Sequence, residues 1–96
     1  MPAVTRISDP YSCGDTSAAG SGNVFVNGLP VSRITDATTG DPCGAPPTIA
    51  AAGSGTVFAN GLPVCRVGDA LVPHACPSSS PHGGTFSAGS PNVTAD

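Results

Sequence analysis

One stretch of this chain occurs twice. Residues 18–37 read AAGSGNVFVNGLPVSRITDA and residues 51–70 read AAGSGTVFANGLPVCRVGDA, an offset of 33 with 15 of 20 positions identical. A truncated third copy follows at Ala88-Gly89-Ser90-Pro91-Asn92-Val93, matching Ala19 to Val24. A half-copy opens the chain, where Val4-Thr5-Arg6-Ile7-Ser8-Asp9 matches the segments ending in Asp36 and Asp69. The first unit lacks its front and the last lacks its end, so the chain amounts to about three units. An internal repeat of this length means that one supersecondary unit is used several times and stacked on itself.

Each unit reads as a β-hairpin. In Val24-Phe25-Val26-Asn27-Gly28-Leu29-Pro30-Val31, β-branched and aromatic residues flank Asn-Gly, and Val57 to Val64 repeats the pattern. Asn-Gly accepts the positive φ angles of a tight type I′ turn. Pro30 and Pro63 lack an N–H, which places them at an unpaired edge or a strand start. The Gly-Ser-Gly before each hairpin reads as a bend, and the segments after Asp9, Asp36 and Asp69 as Pro/Gly/Ser-rich loops. The three Asp residues are expected to cap turns through their side chains. Arg33 and Arg66 are expected to pair with a nearby Asp or a loop carbonyl. The fold class is all-β: three hairpin units related by a pseudo-threefold axis, forming one small domain over residues 1–96.

Composition narrows the function. Gly and Pro together make up 24 of 96 residues, which disfavours a helical bundle. Three Lys+Arg against six Asp+Glu give a net charge of −3 and no basic patch for phosphates, so nucleic acid is not an expected partner. No apolar run approaches the roughly 20 residues needed to span a bilayer. The opening Met1-Pro2-Ala3-Val4-Thr5-Arg6 carries no secretory leader. With only four aromatic residues the core is small, and a chain of this size usually needs a staple from a metal, disulfides or a partner surface.

The cysteines and histidines suggest the staple. All but Cys65 fall in the loops after the repeated Asp residues. Cys43 and Cys76 each stand seven residues after their Asp, and Cys13-Gly14-Asp15-Thr16 aligns with His82-Gly83-Gly84-Thr85. Equivalent loops therefore carry thiol or imidazole groups at equivalent places. Around a pseudo-threefold axis these side chains converge on a tetrahedral N/S site, which suits Zn²⁺ best. His74 and Cys76, two apart, share one face of an extended segment. Cys13, Cys43, His74, Cys76 and His82 are thus five candidates for four coordination positions. Disulfides or buried thiols are the competing interpretation, disfavoured by the absence of a leader. Cys65 replaces Ser32 inside a hairpin and reads as a small buried residue. A His–Cys nucleophile pair would make an enzyme, but no oxyanion-forming helix start accompanies it.

The ordered series Gly-Ser-x-Asn/Thr-Val-Phe-x-Asn-Gly-x-Pro-Val-x-Arg-x-x-Asp, repeated and followed by His/Cys loops ending in His82-Gly83-Gly84, resembles the PAAR-repeat family over essentially the whole chain. Pro30-Val31-Ser32-Arg33 and Pro63-Val64-Cys65-Arg66 stand where the family has Pro-Ala-Ala-Arg. Gly68-Asp69 matches its Gly-Asp, whereas Thr35-Asp36 and Ser8-Asp9 depart at the first position. The resemblance implies a sharp cone that caps the trimeric β-helical spike of a contractile phage tail or a type VI secretion system, one chain per trimer. It implies a single structural Zn²⁺ near the apex, with iron as the alternative metal. The family's usual three His and one Cys cannot be complete here, because the chain has two His. By position, His82 matches the His-Gly-Gly ligand and Cys13 is its counterpart, leaving two ligands to come from Cys43, His74 and Cys76. The expected function is non-enzymatic: a metal-stapled tip that helps pierce the target envelope, with transient membrane contact and effector cargo as a further association. The tip would be made in the bacterial cytoplasm and delivered outward. All 96 residues are taken up by the repeats, so no toxin domain is expected. The rival reading is a small secreted binding module stapled by disulfides.

Overall fold

The fold was obtained as a computed structural model, which describes residues 2–40, 44–75 and 81–96. No helix occurs among the described residues, and the fold is all-β. Strands β1 (Phe25–Val26) and β2 (Leu29–Pro30) form one antiparallel hairpin, and β3 (Phe58–Ala59) and β4 (Leu62–Pro63) form the second. The registers are equivalent: Phe25 pairs with Pro30 and Phe58 with Pro63. Both turns carry positive φ at two successive residues, 55° and 80° at Asn27-Gly28 and 54° and 79° at Asn60-Gly61. That is the conformation Asn-Gly adopts at least cost. The prolines remove no bond, because the neighbouring Val31 and Val64 amides donate to Val24 and Val57 at 3.1 Å.

The third hairpin is built from the two ends of the chain. Ala3 pairs antiparallel with Thr94, and the Ala95 amide donates to the Pro2 carbonyl at 3.0 Å. Ala3 and Thr94 hold the places of Pro30 and Phe25 in the repeat. Asp96 holds the place of Asn27, so the ends meet where the other two units have an Asn-Gly turn.

Three legs, residues 2–23, 29–56 and 62–95, are joined through these hairpins. Their Arg-bearing segments bridge one another in a closed ring, Arg6 with Val31, Arg33 with Val64 and Val4 with Arg66. At its centre the Ser32 amide donates to Thr5, Cys65 to Ser32 and Thr5 to Cys65, at 2.9–3.0 Å. A second ring follows in the loops, through Ser17 with Thr38, Ala50 with Leu71 and Tyr11 with Phe86. Two small cores correspond to the two rings. Val4, Val26, Val31, Ala59, Val64 and Ala95 fill the first. Tyr11, Ala50, Cys65, Leu71 and Phe86 fill the second, where the Tyr11 and Phe86 rings stack at 4.0 Å. Cys65 is fully buried, as its place in a hairpin strand suggests. The molecule measures 37 × 23 × 23 Å, long in one direction and equal in the other two.

All three cations of the chain are spent on turns. Arg6, Arg33 and Arg66 each donate from Nε to the Oδ2 of Asp9, Asp36 and Asp69 at 2.9 Å, and from Nη2 to Oδ1. The same Oδ2 accepts the arginine's own backbone N–H at 2.7–2.8 Å, closing the turn. Each guanidinium is held further toward its charged form, first by these hydrogen bonds and then by the carboxylate's charge. Arg6 and Arg33 also reach the turn residues Asn27 and Asn60 at 3.1 Å. These arginines are structural, as the repeat position suggests.

Candidate metal centre

Beyond the second ring, the third loop continues as a paired ribbon. His74 and His82 face each other, exchanging both backbone hydrogen bonds at 2.9 and 2.7 Å. Side chains of directly opposed residues lie on the same face of a pair. The two imidazoles accordingly meet edge to face, centroids 4.7 Å apart. Pro73 and Pro81 flank the pair and fix φ on either side.

Cys13 joins them from the first leg. The Ser12 amide donates to the Thr85 carbonyl at 2.8 Å, and Tyr11 pairs with Phe86, so the first loop runs alongside the strand that carries His82. Cys13 Sγ and one ring nitrogen of each histidine all lie within 4.8 Å of one another. His74 is buried, and Cys13 and His82 are half-buried. Cys65, away from this cluster, is a buried free thiol.

The donors fit a metal. Bonds of about 2.0–2.3 Å to nitrogen and sulfur define a tetrahedron with edges of about 3.3–3.8 Å, so these three groups need only a small inward movement. His74 Nδ1 lies 2.7 Å from the Pro46 carbonyl oxygen. A carbonyl only accepts, so Nδ1 carries the proton and Nε2 carries the lone pair. An outer hydrogen bond of this kind fixes both tautomer and ring orientation in metal-binding histidines. Thiolate with imidazole is a soft to borderline donor set, suited to Zn²⁺ or iron. A metal here would supply a rigid cross-link between separate loops.

The structure thus brings together Cys13, His74 and His82 of the five candidates. Cys43 and Cys76 lie outside the described residues. Three supporting groups carried no signal by residue type. Pro46 acts through its carbonyl. Gly84 allows close approach, since a Cβ there would fall 2.7 Å from Cys13 Sγ and 3.1 Å from Cys13 Cβ. Asp15, fully buried, ties the first loop to the second: its Oδ1 accepts from the amides of Thr16 and Gly40 at 2.8 and 2.9 Å and from Thr39 Oγ1 at 3.1 Å. The Gly-Gly after His82 was the one available sign of crowding around Cys13.

No curated protein matches the chain in a sequence search. The PAAR motif, by contrast, matches residues 7–77. PAAR-motif proteins are associated with the spike tips of secretion and phage machinery and are a structural family. The match spans about three quarters of the 96 residues, and takes in the Arg33–Asp36 and Arg66–Asp69 turns, both hairpins, Cys13 and His74. With the repeat, the two rings and this match in agreement, the chain belongs to the PAAR-motif family.

Proposed function

We propose that the protein is a structural, metal-stapled tip that caps the trimeric β-helical central spike of a contractile injection machine and sharpens it for piercing an envelope. The hairpins form the base that meets the spike, and the Cys/His loops form the apex. One chain caps one trimer, because three similar legs around one axis present similar surfaces to three subunits. The apical metal is a single structural Zn²⁺ held by Cys13, His74, His82 and a further cysteine, Cys43 or Cys76. The work is mechanical and involves no catalysis.

One observation carries the docking half of this reading. Phe25 and Phe58, equivalent in the repeat, are each 55% exposed, and Val24, Leu29 and Val57 beside them are also open. Large apolar side chains left exposed at the same place in successive units mark a surface built to be covered. The short hairpin edges at that end would gain partners in the same contact.

The test mixes the purified chain with trimeric β-helical spike proteins of contractile systems and weighs the complex by native mass spectrometry. One chain per trimer, lost in a Phe25→Ser/Phe58→Ser double variant that still folds, supports the reading. A folded chain that binds none of the spikes, or a complex indifferent to the double substitution, contradicts it.

A further inference from the structure

The three legs are joined by covalent hairpins at only two of their three junctions. The chain runs from the first leg to the second through Asn27-Gly28 and from the second to the third through Asn60-Gly61. The third junction, between residues 62–95 and residues 2–23, has no turn. It is nonetheless made of the same hydrogen bonds. Ile7 donates to Pro30, Ile34 to Pro63 and Val67 to Ala3, at 2.8–3.0 Å. Ser21 donates to Val31, Ser54 to Val64 and Ser90 to Val4, at 2.8–3.0 Å. Ala18 donates to Ala37, Ala51 to Ala70 and Ser87 to Pro10, all at 2.9 Å. In these backbone bonds the junctions match one for one, and the third differs in covalent continuity. Without a tether the third has no high effective concentration to re-form it after opening, and chain ends are where local opening concentrates.

The metal-binding side chains divide unevenly among the legs. Cys13 belongs to the first, and His74 and His82 to the third. The second leg supplies, among the described residues, only the Pro46 carbonyl that steadies His74. We propose that the metal centre serves as a clamp across the one junction the chain leaves open, taking the place of the missing third turn. This inference rests on the reading of Cys13, His74 and His82 as metal ligands. The terminal pair Ala3–Thr94 fastens one end of the seam, and the metal fastens the other. With Cys76, on the third leg, as the fourth ligand, the centre protects one junction selectively and does not stiffen all three alike.

The repeat supplies its own controls. Amide hydrogen exchange is followed by NMR on the zinc-loaded chain and after removal of the metal by a chelator, with metal content measured in both. The expected result is a loss of protection of about tenfold or more at Thr5, Val67, Ser87 and Ser90, with their counterparts Ser32, Ile34, Ala51 and Ser54 little changed. A chain that binds zinc and loses protection equally at all three junctions, or at none, overturns the clamp and leaves the metal reading standing. A chain that binds no zinc overturns both.

A closed chain covers the case in which the metal-free protein unfolds outright. Replacing Met1 by Gly and joining it to Asp96 recreates an Asp-Gly turn at the seam, a good type I′ sequence. This cyclic form should stay folded without metal and show three equally protected junctions. Dependence on zinc as strong as that of the open chain would overturn the proposal.

Discussion

The repeat places three residues in the left-handed region at one equivalent position, and only one of them is glycine. Ser8, Thr35 and Gly68 have φ of 77°, 75° and 95°, each immediately before the Asp that caps its turn. The family's Gly-Asp pattern has its physical reason here, and Ser8 and Thr35 hold the conformation against their Cβ. A left-handed φ costs an L-residue about 1–2 kcal/mol. A β-branched residue lies at the upper end, because its χ1 rotamers are also restricted. Glycine removes that strain but adds about 0.4–1 kcal/mol of unfolded-state entropy. The net gain is about 0.5–1 kcal/mol for Thr35→Gly and somewhat less for Ser8→Gly. All three sites are exposed, so no packing is lost. Their backbone amides keep equivalent bonds, Ser8 to Ser17, Thr35 to Ala50 and Gly68 to Phe86, at 2.9 Å. The reverse change, Gly68→Thr, should destabilise by about 1 kcal/mol from backbone strain alone, since a Cβ at Gly68 meets nothing within 4 Å. Urea unfolding of the metal-loaded protein reads these differences, and for a domain of this size 1 kcal/mol moves Tm by about 4–8 °C. A Thr35→Gly protein no more stable than wild type, or a neutral Gly68→Thr, would refute the strain account.

Other predictions follow from the site and the second core. Gly84→Ala places a methyl against Cys13 Sγ and Cβ, so its zinc affinity should fall by about 10–100-fold, as for other supporting residues of metal sites. Competition with a chromophoric chelator measures this, and unchanged affinity would show that the Gly84 contact is dispensable. Burial pushes the Cys65 thiol up to about 12 from its ordinary 9.0, with the charges of Asp69 and Asp36 adding to the effect. Burial likewise raises the Tyr11 phenol above its ordinary 10.0. The folded state then holds these protons more tightly than the unfolded one. Stability is full below pH 9.0 and falls as pH rises toward 12. The stability difference between wild type and Cys65→Ala should shrink across that window, and a constant difference would contradict the burial of the thiol. Replacing Cys43 and Cys76 separately by Ser should cost zinc at whichever supplies the fourth ligand, read by metal content after dialysis. Loss in neither variant would contradict a fourth ligand from that pair.

Much of this architecture can be read from local sequence, because the repeat prints it twice. Asn27-Gly28 and Asn60-Gly61 have one comfortable turn conformation, and the structure adopts it. Arg-x-x-Asp places a fork donor within reach of a carboxylate three residues on, and all three instances close. Cys13 and His82 align through the residues that follow them, and their side chains meet. The rest depends on contacts that local sequence does not encode. The Ala3–Thr94 pair joins residues 91 apart with no turn between them. Phe25 and Val26 are both apolar, so the hairpin pattern hides which of them faces out, and it is Phe25. Pro46 serves through a backbone oxygen, which any residue has. Asp15 aligns with Gly84, so the repeat itself obscures that one ties two loops together and the other makes room for a sulfur.

The central claim is a metal staple in the loops, and elemental analysis of the tag-free protein with thiols counted after unfolding tests it most directly. The account predicts about one zinc per wild-type chain with free thiols, and loss of that metal in Cys13→Ser and His82→Ala. A folded wild-type protein without metal, its thiols oxidised, would contradict it.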